Sequence, residues 1–272
     1  LYGYQDIQTP TFEYYEVFRK EIGSTSTQEL YKFFDREGNI LALRPDITPS
    51  VARAAATLFE SEEMPIRLCY AGNTFINHSS YQGRLKENTQ LGAELIGLDT
   101  VEADAEMIAM VADGLKKVGL KEFQVSLGHV DFVKSLVEAA GLEEEESREI
   151  RTLITNRNFF GVEEILDEKK VKEEIKDAFR LLPELTGGEE VLEQAMKAAP
   201  DVKAKHAVLR LEHIFRLLKL YGADDHITLD LSMSGNYGYY TGIIFRAYTY
   251  GTGDAVVRGG RYDHLLEKFG KD

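Results

Sequence analysis

Apolar positions that alternate with polar ones predict strands, and apolar positions repeating near every 3.6 residues predict helices. The clearest alternation lies in residues 66–76 and 87–98, two runs joined by a polar loop, which reads as a hairpin-joined pair. "ELYKFFDREGNILALRP" repeats that arrangement on a shorter scale, with the turn residues "DREGN" between two β-rich runs. "TPTFEYYEVFRKEIG" reads as a leading strand followed by a short helix that ends at Gly23. "DITPSVARAAATLFE" and "TVEADAEMIAMVADGLKKVG" carry helical spacing. In the first of them Thr48 is expected as the N-cap and Pro49 at the first helical position. "FQVSLGHV" is a further strand.

The pattern changes between Asp131 and about Asp225. This stretch is dense in Glu and Lys, helical in period, and broken by Gly141, Gly161, Pro183, Gly187 and Gly188. Charge runs such as "LEEEES" read as solvated helix faces or caps. β-pattern returns in "HITLDLSM", "YYTGIIFRAYTYG" and "GDAVVRGG", strands expected to rejoin the first sheet. The expected organisation is an α+β core over 1–128 and 226–272, with 129–225 as a helical insertion. Hairpin-joined strands argue for a mainly antiparallel sheet. The start at Leu1 and the stop in "EKFGKD", just as a helix begins, read as trimmed ends.

Composition narrows the function class. The apolar fraction of 43% supports a real core. Cys69 is the only cysteine, so no intramolecular disulfide forms, and a reducing cytoplasm is the expected location. Cys69 itself reads as a small buried hydrophobe. No run approaches the roughly 20 apolar residues of a membrane span. The net charge of −14 gives no electrostatic footprint for nucleic acid. Phosphate-loop, zinc and nucleophile-elbow motifs are missing, so no metal and no cofactor is expected. His213, in a helix, and His226 read as ordinary structural or surface residues.

One strand interrupts its apolar pattern with chemistry. Residues two apart share a strand face, so Gln90, Gly92 and Glu94 point one way and Leu91, Ala93 and Leu95 the other. Gly92 leaves room between the two polar groups, read here as room for a ligand. A buried carboxylate needs a partner. Two readings stand side by side: an internal salt bridge to Arg44 or Arg67, or a small cationic or hydrogen-bonding ligand held by Gln90 and Glu94. Asp46 and Thr48 sit where a strand runs into a helix N-terminus, where Asp46 either serves the helix dipole or joins the same pocket. Tyr239 and Tyr240 head a strand, so at most one of them enters that pocket if the strand is regular there.

Five stretches, in order, carry a family resemblance: "GYQDIQTPTFE", "FFDREGNILALRPDITPSVARA", "GRLKENTQLGAELIG", "YYTGIIF" and "GGRYDHLL". Together they resemble the catalytic core of class II histidyl-tRNA synthetases. The resemblance implies a mainly antiparallel six-stranded sheet flanked by helices, a dimer through the N-terminal motif, and a histidine pocket. Carried over by position, Asp46 stands at the acidic ligand of the amino group, with Thr48 beside it. Gln90 and Glu94 stand at the next polar ligands, and Tyr239 and Tyr240 at the paired tyrosines on the imidazole side, with Arg84 as a possible additional contact.

The departures from that pattern carry equal weight. Where synthetases place F-R-x-E, this chain has "FINH", with Ile76 for the phosphate-gripping arginine and His78 for the glutamate. Where they carry R-G-L-D, it has Gly235, Asn236, Tyr237 and Gly238. Adenylate formation needs cations where charge develops. The combination resembles the regulatory subunits of ATP phosphoribosyltransferase, a synthetase-like branch without catalytic residues. That resemblance implies L-histidine as ligand and a part in its feedback control. It also implies a homodimer within a hetero-oligomer with the short-form catalytic subunit, and no tRNA charging. An active synthetase fragment and a synthetase-like paralogue in another role are the competing readings.

Overall fold

A computed structural model describes residues 2–19, 25–59, 63–78, 84–235 and 239–270. The chain divides into two compact units. The first holds the residues through Asp99, together with Tyr239 and the segment from Tyr262. The second holds Thr100–Asn236 and Tyr240–Arg261.

The first unit opens with β1 (Gln5–Asp6) and β2 (Phe12–Tyr14), followed by a 3-10 turn over Tyr15–Phe18. Gly23, the expected helix end, lies outside the described residues. β3 (Lys32–Phe34) and β4 (Ile40–Leu43) form the predicted short hairpin. Its turn is closed by Asp35, whose carboxylate accepts the backbone and side-chain N–H of Asn39, both at 2.8 Å, and by Gly38 at φ 85°. β2 pairs with β4 to complete a three-stranded sheet. The cross-strand register puts Phe12, Tyr14, Phe33, Leu41 and Leu43 on one face, and the three aromatics there are exposed. The other face buries Glu13 and Ala42, and Ala42 packs with Val17, Phe18 and Leu30.

Next come α1 (Thr48–Leu58), β5 (Ile66–Phe75) and β6 (Glu87–Ile96). β5 and β6 pair antiparallel from Ile66 opposite Ile96 to Phe75 opposite Glu87, and β1 joins the outer edge of β5 in parallel. The inward positions Ile66, Leu68 and Tyr70 pack with Ile96 against Ile47, Val51 and Ala55. The outward face of β6 is not a buried apolar one, since Leu91 is 78% exposed. Cys69 is half-buried rather than a core residue, and its thiol lies 3.5 Å from a carboxylate oxygen of Asp6.

The second unit contains α2 (Val101–Lys117), capped by the Thr100 hydroxyl, and β7 (Phe123–His129). The predicted helical stretch follows as α3 (Val130–Ala139), α4 (Glu144–Thr155), α5 (Phe159–Glu168) and α6 (Glu173–Leu181). It also holds an unforeseen two-residue strand, β8 (Thr186–Gly187), before α7 (Val191–Ala198) and α8 (Val202–Leu220). β9 (Ile227–Asp230), β10 (Ile243–Thr249) and β11 (Val257–Gly260) then pair around β7 in the order β11–β10–β7–β9–β8. Within this sheet only the β7–β9 pair is parallel. The described pairings form three sheets, of three, five and three strands, instead of one six-stranded sheet. The core of this unit joins Val125 and Leu127 of β7 to Ile108, Phe132 and Leu211 from the helices. His226 stacks on Phe123 at 4.1 Å, a packing role.

Candidate functional site

The polar face of β6 belongs to the first unit, and its neighbours there are hydroxyls. Glu94 is 7% exposed. Its Oε1 accepts from Thr48 Oγ1 at 2.9 Å and from the Tyr70 hydroxyl at 3.1 Å, and its Oε2 accepts from the Tyr262 hydroxyl at 2.6 Å. Neither arginine considered from sequence fills this place. Arg44 is buried, but its guanidinium donates to the backbone carbonyls of Thr9, Pro10 and Asn73, and Arg67 stands opposite Leu95, on the other face of the strand pair from Glu94. Three hydroxyl donors stabilise the ionised carboxylate only in part. Burial dominates and lifts the Glu94 pKa to about 7, with the charge of Asp46 adding to the rise. The same burial, with the charges of Glu94 and Asp46, holds the Tyr70 phenol well above its ordinary value.

The start of α1 supplies the other half. Ile47, not Thr48, is the N-cap, and Thr48 is the first helical residue with Pro49 second. Asp46 does the capping: its Oδ1 accepts the Thr48 backbone N–H at 3.3 Å. That frees the Thr48 hydroxyl to reach Glu94. Thr48 therefore bridges the two carboxylates, one through its amide and one through its side chain. Gln90 Nε2 donates to the same Asp46 Oδ1 at 3.1 Å. Asp46, Thr48, Gln90 and Glu94 thus form one hydrogen-bonded cluster.

Two members of the cluster escaped the sequence reading. Tyr70 stands opposite Gly92 in the β5–β6 register, and a Cβ on Gly92 would lie 2.2 Å from the Tyr70 ring. The room left by Gly92 is therefore filled by Tyr70, not held open for a ligand. Tyr262, in "GGRYD", closes the other carboxylate oxygen. The signals were the glycine facing an inward-pointing tyrosine and a tyrosine inside a motif already singled out.

Tyr239 and Tyr240 precede β10 in a turn, so strand alternation does not apply to them. Tyr239 belongs to the first unit, where its ring meets that of Tyr262 edge-on at 6.0 Å. Tyr240 belongs to the second, with its ring against Gly260. Arg84 is exposed just before β6. In the "FINH" segment, Ile76 is half-buried and His78 Nδ1 lies 3.4 Å from Glu29 Oε1. Asn236, Tyr237 and Gly238 lie outside the described residues.

Chemically, the cluster offers two carboxylates and an amide oxygen, with tyrosine rings beside them. Carboxylates and an amide oxygen accept hydrogen bonds and attract cations. Among the described residues no group of three or more His, Cys, Asp and Glu is placed to hold a metal, and no helix is long and apolar enough to cross a membrane.

The chain resembles known proteins along its whole length. The family profile of histidyl-tRNA synthetase matches residues 1–272. The chain belongs to the histidyl-tRNA synthetase family. Within it the chain falls in the regulatory-subunit branch. It is 41% identical to an ATP phosphoribosyltransferase regulatory subunit from Acetivibrio thermocellus, over 99% of this chain and 64% of that protein. Against the crystal structure of an ATP phosphoribosyltransferase regulatory subunit/histidyl-tRNA synthetase from Bacillus halodurans, the TM-score is 0.91 at 35% identity, covering 98% of this chain and 70% of that one. The ATP phosphoribosyl transferase (HisG:HisZ) complex from Thermotoga maritima shares the fold, with a TM-score of 0.73 at 18% identity over 96% of this chain and 87% of that one. The class II synthetase-like α+β architecture is thereby established. The chain spans 64% to 70% of the length of these first relatives.

Proposed function

We propose that this chain is the histidine-sensing part of a non-catalytic regulatory subunit of ATP phosphoribosyltransferase, acting in the cytoplasm in feedback control of histidine biosynthesis. The observation that carries the reading is the Asp46–Gln90–Thr48–Glu94 cluster: two carboxylates buried together, with hydroxyls and an amide as their partners. L-Histidine matches this lining. Its ammonium goes to Asp46, with Gln90 and Thr48 beside it. Its imidazole N–H goes to Glu94, while Tyr239 and Tyr262 flank the ring. Tyr240 and Arg84 are retained as further contacts on the resemblance alone. Residues 129–225 are read as an insertion into the synthetase-like core.

The same reading assigns no catalytic residue. Ile76 and Gly235 stand where synthetases of this family use arginine. Loss of one preorganised donor alone costs about 3 kcal/mol of transition-state stabilisation. The catalytic partner is the short-form ATP phosphoribosyltransferase, as the regulatory-subunit names of the relatives and the fold shared with a HisG:HisZ complex support. The exposed aromatic face of the β2–β4–β3 sheet supports a homodimer inside that hetero-oligomer.

The test is calorimetric titration of L-histidine into the full-length protein, followed by mixing with a short-form catalytic subunit and assay of phosphoribosyl-ATP. Binding of one histidine per chain, a rise in turnover on mixing and its reversal by histidine are expected. Histidine-dependent ATP–pyrophosphate exchange at synthetase-like rates would overturn the reading. So would failure to bind histidine with or without the partner.

A further inference from the structure

A cleft of about 630 Å³ lies wholly within the second unit, and none of its lining residues belongs to the cluster described above. Four side chains on one face of α8 line it, Lys203, His206, Arg210 and His213, spaced three, four and three residues apart. His129, the last residue of β7, lines it too and is 6% exposed. Three of the six histidines in the chain therefore meet in one cleft. Val101 and Leu209 add apolar wall.

His129 is the informative residue. Its Nδ1 accepts the backbone N–H of Asp131 at 3.3 Å, which leaves the ring proton on Nε2. Burial holds the imidazole neutral, with a pKa near 4. The charges of Arg210, Arg261 and Lys203 act in the same direction, and Asp131 opposes them. Nε2–H is thus a fixed donor at physiological pH, and among the described residues no acceptor meets it. The cations beside it meet carboxylates: Lys203 pairs with Asp131 at 2.9 Å, and Arg210 Nε with Asp104 at 2.6 Å. A neutral N–H donor beside two cations, Lys203 and Arg210, in a cleft that Asp131 also lines, favours an anionic acceptor able to displace Asp131 from Lys203.

We propose that this cleft binds a small organic phosphate monoester with a planar or apolar body. A phosphate presents three terminal oxygens, one each for His129 Nε2–H, Lys203 and Arg210, where a carboxylate presents two. The apolar wall and the faces of His206 and His213 receive the body.

The probes are phenyl phosphate, inorganic phosphate and benzoate, titrated into the full-length protein by calorimetry. Imidazole nitrogen spectra of histidine-labelled protein report on His129 directly. Phenyl phosphate is expected to bind once per chain and to shift the His129 Nε2 resonance, with the other two probes about tenfold weaker. Lys203→Ala should weaken phenyl phosphate about tenfold. Its urea midpoint should stay near that of the unmodified protein, because the Lys203–Asp131 pair is partly exposed. His206→Ala, at an exposed position, should weaken phenyl phosphate and leave inorganic phosphate unchanged. The proposal fails if about 10 mM phenyl phosphate gives no shift at His129. It fails equally if benzoate binds as tightly, or if Lys203→Ala binds as well as the unmodified protein.

Discussion

Glu94 and Asp230 are both carboxylates buried almost completely, at 7% and 3% exposure, yet the chain treats them differently. Asp230 ends β9. Its Oδ1 accepts the backbone N–H of Ser232 at 3.0 Å, the Ser232 hydroxyl at 2.6 Å and the Thr186 hydroxyl at 3.4 Å. Its Oδ2 meets the guanidinium of Arg157, a residue held in the left-handed region at φ 57° just past α4. Asp230 thus has its counter-charge inside the chain. Among the described residues Glu94 has hydroxyl partners only. A carboxylate that completes its own charge balance is a brace. One whose charge is left over, in a fold that excludes water from it, suits the proposed role of meeting a cation or a donor from outside.

The sharpest way to break this comparison is to remove the brace. Asp230→Ala strands the Ser232 amide and two hydroxyls, and should cost about 3–4 kcal/mol of stability, measured by urea unfolding. A loss below about 1 kcal/mol would mean that the brace is decorative.

Titration separates the two carboxylates next. Glu94 carries a folded-state pKa of about 7 against an ordinary 4.5. The folded state holds this proton more tightly than the unfolded chain, so stability falls as pH rises between those values, and the full penalty is present above about pH 7. The expected fall is about 3 kcal/mol in the absence of ligand, and Glu94→Gln should flatten it. Urea midpoints at intervals between pH 4.5 and 8 check this.

At pH 8 that same Glu94→Gln variant should be at least as stable as the parent, yet bind histidine roughly 10- to 100-fold more weakly, since a charge-assisted bond is worth about 1.5–3 kcal/mol. Calorimetry with phenylalanine as competitor reads the change. Equal affinity would reassign the polar face of β6 to structure. The smallest effect belongs to Arg157→Ala. Its side chain is half-exposed, so water replaces it at Asp230. The cost should be about 1–2 kcal/mol with histidine affinity unchanged; a large loss of affinity would show that brace and site are not independent.

Local chemistry was legible where the chain decides its own conformation. The "DREGN" turn announced its hairpin because Asp35, Gly38 and Asn39 close it without outside help. The face shared by Gln90 and Glu94 followed from strand alternation alone. What stayed hidden depended on neighbours distant in sequence. Thr48 reads as a cap until Asp46, two residues earlier, takes the amide first. Tyr70 reads as core until its register opposite Gly92 brings its hydroxyl to Glu94, and Tyr262 arrives from 168 positions away. The division of the strands among sheets was equally illegible: β7, β9 and β10 find one another across the helical stretch through pairings that no local pattern encodes.

The bare face of the β2–β4–β3 sheet has a consequence for how the site responds. Leu41 and Leu43 of β4 lie on that face, and Asp46 follows three residues after Leu43. The intervening backbone has little slack, because Arg44 ties it to the carbonyls of Thr9, Pro10 and Asn73. In the proposed homodimer, a second copy seated on the face would steady the strand that delivers Asp46. If histidine binds there as proposed, reciprocity requires it to tighten the seating of that copy by the same factor. Apparent histidine affinity should accordingly rise with the concentration of the protein itself, so that dilution acts as an antagonist of the amino acid.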